Sequence, residues 1–164
     1  MSVSKKVVLA GHFGVGKSSL MRRFVEDSFS EDYKVTIGVH IMKKPVQVEQ
    51  ETIHLIIWDI EGTDDIRKYR PSYLLGASGF IYVFDLSRTI TYANLDSDLN
   101  YINEKFPGVP VQVVGNKLDL VDSQTAVHQL QAQQVPYNYL TSAKTGDQVS
   151  AMFRNLAAEL LRHA

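Results

Sequence analysis

Apolar residues along this chain fall into short runs of strand length and into stripes with helical spacing. The first run, Val7-Val8-Leu9-Ala10, is apolar at every position, which predicts a strand covered on both faces. Residues 18–26 follow, with Leu20, Met21, Phe24 and Val25 available for one helical face. Residues 28–34 are polar and without a period, as in a loop. Residues 39–48 and 52–59, joined by Glu49-Gln50-Glu51, place Val46, Val48, Ile53, Leu55 and Ile57 at alternate positions, the pattern of a half-buried hairpin. Residues 79–85, 111–115 and 137–140 supply a fourth, fifth and sixth strand. Between them, residues 91–106 read as a helix stopped by Pro107-Gly108, and residues 123–134 as a short polar helix. A last helix is expected to start near Asp147, an N-cap residue type. Its apolar face is Val149, Met152, Phe153, Leu156 and Leu160. Strands separated by helices predict an α/β fold: a mostly parallel six-stranded sheet, helices on both faces and one antiparallel hairpin strand. Ligands of such sheets bind beyond the carboxyl ends of the strands.

One segment gives that edge a chemistry. Gly11-His12-Phe13-Gly14-Val15-Gly16-Lys17-Ser18 has the G-x-x-x-x-G-K-[ST] form between a strand and a helix, the phosphate-binding loop of P-loop NTPases. Its glycines let backbone N–H groups turn inward around phosphate oxygens, and the helix that follows points its positive end at the same anion. Lys17 is placed to reach the outer phosphates and the Ser18 hydroxyl to ligate Mg²⁺.

Composition narrows the remaining choices. The 164 residues suit one domain, taken as 1–164, with 45% hydrophobic and 21% charged residues. A formal net charge of −1 gives no strong field for nucleic acid, so no nucleic-acid partner is expected. The absence of cysteine excludes disulfides, thiolate metal sites and cysteine-linked lipids within these residues, and no lipid anchor is visible. No signal peptide is recognisable at the start, and no run approaches the ~20 apolar residues of a membrane span, so a cytoplasmic protein is expected. His12, His40, His54, His128 and His163 have no metal-like spacing.

Four further segments line up behind the loop: Thr36-Ile37-Gly38, Asp59-Ile60-Glu61-Gly62, Asn116-Lys117-Leu118-Asp119 and Ser142-Ala143-Lys144. In this order and spacing the chain resembles the Ras-superfamily small GTPases from Lys5 to about Leu161. Thr36-Ile37-Gly38-Val39, Ile57-Trp58-Asp59 and Ser72-Tyr73-Leu74-Leu75-Gly76-Ala77 are similar to segments of Rab-like members.

The resemblance implies a switch that binds GTP or GDP with Mg²⁺ and hydrolyses GTP. Effector and regulatory proteins would meet it through switch regions near 28–40 and 59–76. Asp119 would accept from the ring N–H and exocyclic amine of guanine, a donor pair that adenine lacks. Asn116 and Lys117 would tie the loops together and cover the base, Ser142, Ala143 and Lys144 would complete the base loop, and Phe29 would lie against the base. Gly14, Val15, Gly16, Lys17, Ser18, Ser19 and Tyr33 join the nucleotide-binding set. Ser18, Thr36 and Asp59 are the expected metal residues, and Lys17, Thr36, Gly62 and Thr63 those placed at the reacting phosphate.

Departures from the family pattern bear on the reaction. Thr63 stands where the family usually carries the glutamine that orients the attacking water. Glu61 replaces a small residue beside the γ-phosphate, and Phe13 occupies a loop position that is small in most relatives, close to where a partner's arginine would enter. The chain stops after the last helix, whereas Rab and Ras proteins usually continue into a lipidated cysteine tail. Two functional classes stay open, a slow GTPase and a hydrolysis-deficient, GTP-held binding module. A P-loop kinase lacks support, since no lid of arginines is evident and such an enzyme does not need Asn116 and Asp119. Trp58 reads as a partly buried strand residue, or as part of an effector-facing patch with Ile41 and Leu74.

Overall fold

Six strands form one sheet in the order β2-β3-β1-β4-β5-β6, with β2 antiparallel to β3 and every other neighbouring pair parallel. The computed structural model describes residues 2–31 and 36–162. The strands are β1 (Ser2–Gly11), β2 (Val39–Val48), β3 (Glu51–Ile60), β4 (Gly79–Asp85), β5 (Val111–Asn116) and β6 (Tyr139–Leu140). The helices are α1 (Lys17–Glu26), α2 (Pro71–Leu74), α3 (Leu95–Lys105), α4 (Ser123–Ala132) and α5 (Val149–Arg162).

Side chains of the central strands divide by the two-residue period of a strand. Val7 and Leu9 of β1, Ile53, Leu55 and Ile57 of β3, and Ile81 and Val83 of β4 face α1 and α5. Val8 and Ala10, Ile60, and Phe80, Tyr82 and Phe84 face the opposite layer, which contains α2, α3 and α4. Both faces of β4 are thus covered, and all seven of its residues are buried. On the first face Phe24 stacks on Phe153 with centroids 4.3 Å apart, joining α1 to α5. The expected stripe of α5 is buried in full, with Val149, Met152, Phe153, Leu156 and Leu160 each at most 2% exposed. Among the described residues no helix is long and apolar enough to cross a membrane.

Element boundaries shift where long-range pairing or local side-chain bonds override the apolar pattern. β1 starts at Ser2 rather than at the apolar run, because Ser2–Leu9 pairs in register with residues 52–59 of β3. The third helix starts at Leu95, not near 91. The Thr91 hydroxyl accepts from the Asp85 N–H at 2.9 Å and lies 2.7 Å from the Arg88 carbonyl, which holds residues 89–91 in a 3₁₀ turn. α4 ends at Ala132, two residues before Gln134 turns to φ 55. β6 is confined to Tyr139–Leu140, which stand opposite Val114 and Gly115 of β5. α5 begins at Val149, because Gln148 sits at φ 62 and cannot belong to the helix that Asp147 was expected to cap. A 3₁₀ turn at Ile66–Lys68 and the one-turn α2, with Pro71 at its first position, fill a stretch with no apolar period.

Candidate functional site

The carboxyl ends of β1, β3 and β5 and the loop after β6 open into one cleft of about 300 Å³. Its walls include Gly14, Gly16, Lys17, Ser18 and Ser19 of the phosphate loop, Phe29, Thr36, Asp59 and Gly62, then Asn116, Lys117, Asp119, Ala143 and Lys144. Segments separated by more than a hundred residues therefore meet where the sequence placed a ligand. Val15 is fully buried behind the loop, and Ser142 is buried behind Asp119. Tyr33 lies outside the described residues. Thr63 is not part of this wall. It borders a small separate cavity with Gly11, His12, Ile66, Tyr69, Tyr82 and Asp98.

The loop is held from behind. Asn116, 1% exposed, donates to the Val15 carbonyl at 3.0 Å. It also accepts from the Thr141 hydroxyl at 3.0 Å and from the Ala143 N–H at 3.3 Å. One side chain thus joins the phosphate loop, β5 and the loop after β6. Gly16 must be glycine, since its φ is 100 and a Cβ there would lie 2.3 Å from Asn116 Nδ2. Replacing Asn116 with alanine strands three buried groups at once. At about 1 kcal/mol or more per lost bond, Asn116→Ala should lower the unfolding free energy by roughly 2–4 kcal/mol, read by denaturant titration. A loss below about 1 kcal/mol would mean that Asn116 does not tie these loops.

Lys17 and Asp59 are the charged groups at the bottom of the cleft. Lys17 is 6% exposed, and burial lowers its pKa to about 8 against the opposing pull of Asp59. Its ammonium lies 3.2 Å from the His12 carbonyl and 3.4 Å from the Gly11 carbonyl. Asp59 is fully buried, and burial raises its pKa against the Ser18 hydrogen bond and the Lys17 charge. Both shifts come from burial, which opposes the charged form of a cation and of an anion alike.

Three oxygen donors converge beside them. Asp59 Oδ2 accepts from the Ser18 hydroxyl and from Thr36 Oγ1, and the two hydroxyls lie 2.7 Å apart. Among the described residues Asp59 Oδ1 is buried without a hydrogen-bond partner. Two hydroxyls and a carboxylate with a buried unsatisfied oxygen form a hard-donor set that fits Mg²⁺, an ion completed by phosphate oxygens and water rather than by a full protein cage. Among the described residues no three His, Asp, Glu or Cys side chains gather as an alternative metal site.

At the other end, the Ser142 hydroxyl donates to Asp119 Oδ1 at 2.6 Å and fixes the carboxylate facing the cleft. Two residues that support this end have no motif to announce them. Arg23 donates through Nε to the Ala143 carbonyl at 2.8 Å and through Nη2 to the Lys144 carbonyl at 2.7 Å. Asp85, buried at the end of β4, lies 3.2 Å from the Lys117 ammonium. Arg22, Ser30, Glu31 and Leu120 also line the cleft. Of these, only Arg22 had a readable signal, four residues after Ser18 on the same helical face.

A phosphate loop, a hard-cation donor set and a carboxylate at the far end of one cleft together describe a nucleoside-phosphate site. The sequence model of the Ras family matches residues 6–162. The chain belongs to the Ras family. It is therefore a GTP-binding small GTPase, of a family that generally hydrolyses GTP, generally binds its nucleotide with Mg²⁺ and works through effectors and regulators.

Within this Ras-family chain Trp58 is a partly buried strand residue, as expected, and its apolar neighbours differ from those expected of an effector patch. Ile41 stands opposite Trp58 across the β2–β3 ladder and is 42% exposed. Leu74, expected beside them, is buried at 4%. Tyr73 takes the place instead, its ring centroid 6.4 Å from that of Trp58, and the Lys6 ammonium lies 3.7 Å over the indole.

Proposed function

We propose that residues 1–164 form a single GTPase domain working as a Rab-like, guanine-selective switch with slow hydrolysis. In this reading Gly14 to Ser19 hold the phosphates, with Lys17 on the outer ones. Asn116, Lys117, Asp119, Ser142, Ala143 and Lys144 hold the base, Phe29 covers it, and Tyr33 joins the set from switch I. Mg²⁺ would be held by Ser18, Thr36 and Asp59 and would neutralise charge on the β- and γ-phosphates. Gly62 faces the same end of the cleft. A Cβ there would lie 2.8 Å from the Phe13 main chain, so this position takes only glycine, and in this reading its N–H donates to the γ-phosphate.

The observation that carries the switch reading is the position of Thr36. Its described side-chain contacts are Ser18 and Asp59, both walls of the cleft, so a cation or phosphate entering there would replace the bonds that Thr36 makes. The observation favouring slow hydrolysis is Thr63, which borders the other cavity. A GTP-held binding module is the same reading with a still lower rate.

Heating the purified protein and separating the released nucleotides tests this. At a rate on the order of 10⁻⁴ s⁻¹ bound GTP has a half-life of about 2 h, so bound GDP is expected after a purification of about a day. GTP alone would favour the held module, and adenine nucleotides would overturn the reading.

A further inference from the structure

Tyr69 fastens the segment after Gly62 to the opening of the phosphate loop. Its hydroxyl donates to the Gly11 carbonyl at 3.0 Å and accepts from the Gly11 N–H at 3.1 Å. A phenol has one proton to donate and lone pairs to accept with, so both bonds hold together. The side chain is 7% exposed, and burial pushes its pKa upward, which keeps the proton in place. The Thr63 N–H reaches the same carbonyl at 3.4 Å, as does the Lys17 ammonium. Three donors thus share the Gly11 carbonyl, and of them only Lys17 lines the nucleotide cleft.

A second fastening runs to α3. Arg67 donates to the Ser97 hydroxyl at 2.7 Å, to the Ser97 carbonyl at 3.2 Å and to Asp98 Oδ1 at 3.3 Å. Asp98 is itself buried, and its other oxygen accepts from the Tyr82 hydroxyl at 2.5 Å. Ile66 and Leu74, each 4% exposed, anchor the same stretch in the core. Gly11, Ser97 and Asp98 do not line the nucleotide cleft. The other switch is built differently, since Thr36 bonds to cleft residues and Ile37 is 86% exposed.

We propose that Tyr69 and Arg67 keep residues 63–76 docked in both the diphosphate and the triphosphate state, so that a partner reads the nucleotide from residues 36–41. This rests on the switch reading above. In the general GTPase switch both segments are ordered by the γ-phosphate and released on hydrolysis. Here the second has anchors of its own. A partner sensitive to nucleotide state must therefore touch residues 36–41, and one bound only to 63–76 responds to the amount of protein.

Hydrogen exchange on the full chain with Mg²⁺, loaded with GDP or with a non-hydrolysable GTP analogue, tests this directly. In the wild type, amides of 63–76 should exchange within about twofold of each other in the two states, and those of 36–41 about tenfold more slowly with the analogue. Tyr69→Phe should speed exchange of 63–76 about tenfold with GDP, and less with the analogue, where Gly62 gains a phosphate partner. Markedly faster exchange of wild-type 63–76 with GDP would overturn the proposal. So would a folded Tyr69→Phe chain, and likewise Arg67→Ala, with wild-type exchange. If Tyr69→Phe does not fold, the wild-type comparison and the half-exposed Arg67 decide. Identical exchange of 36–41 in the two states would overturn the switch reading itself, and this proposal with it.

Discussion

Asp119→Asn should exchange guanine selectivity for xanthine selectivity. The Ser142 hydroxyl holds Asp119 Oδ1 at 2.6 Å, which leaves the second carboxylate oxygen toward the cleft. Guanine offers that carboxylate a ring N–H and an exocyclic amine. With asparagine, the Ser142 hydroxyl keeps the amide oxygen and turns the amide nitrogen toward the base. The amide nitrogen then faces guanine's exocyclic amine, donor against donor, and GTP affinity should fall by about 10³-fold or more, since a polar site rejects a ligand that leaves its groups unpaired. Xanthine carries an exocyclic oxygen where guanine carries the amine, so the amide nitrogen gains an acceptor. Affinity for xanthosine triphosphate should rise above that for GTP in the variant. Wild-type protein should bind ATP at least about 10³-fold more weakly than GTP, because adenine presents a lone pair and a C–H to the carboxylate. Competition against a fluorescent guanine nucleotide measures all three. Equal wild-type affinities for ATP and GTP would remove Asp119 from the base site.

What the sequence disclosed was local, and what it hid was long-range. The phosphate loop could be read because its glycines, Lys17 and Ser18 follow one another between an apolar strand and a helix. The β2–β3 hairpin could be read because Val46, Ile53, Leu55 and Ile57 alternate, and all four are buried. The start of α3 could not, because Thr91 spends its hydroxyl on Asp85 and Arg88 backbone, a bond with no periodic signature. Leu74 and Tyr73 differ by one position, and one step around a helical turn exchanges core for surface. Asp85, Arg23 and Tyr69 act on Lys117, Ala143 and Gly11 across the fold. Arg23 lies 120 residues from Ala143, and Tyr69 lies 58 residues from Gly11. No spacing rule connects such pairs. The fold brings them together, as where the β4–β5 ladder sets Asp85 opposite Asn116, next to Lys117.

Hydrolysis should be slower than in Ras, whose intrinsic rate with its glutamine in place is about 3–5 × 10⁻⁴ s⁻¹. The reaction needs a water held in line with the γ-phosphate. Thr63 is too short to hold both water and phosphate, and its hydroxyl is engaged elsewhere, 3.4 Å from the Asp65 N–H and 3.5 Å from Asp64 Oδ1. Glu61 is exposed, with its N–H on the Gly38 carbonyl at 2.8 Å, and its charge opposes an approaching phosphate. A rate on the order of 10⁻⁴ s⁻¹ or below is expected, a loss of about 1 kcal/mol or more in barrier stabilisation. Phe13 lines the cleft and is 48% exposed, and its ring is expected to obstruct an arginine supplied by a partner. Its backbone roles are separable from its ring, because Arg88 holds the Phe13 carbonyl at 2.9 Å and Gly62 packs on its main chain. Phe13→Gly should therefore clear the entrance without releasing the loop. Thr63→Gln should recover part of the rate, and Thr63→Gln with Phe13→Gly should recover more. Single-turnover phosphate release measures both. A wild-type rate well above the Ras value would show that another side chain holds the water, and Glu61→Ala would then abolish it.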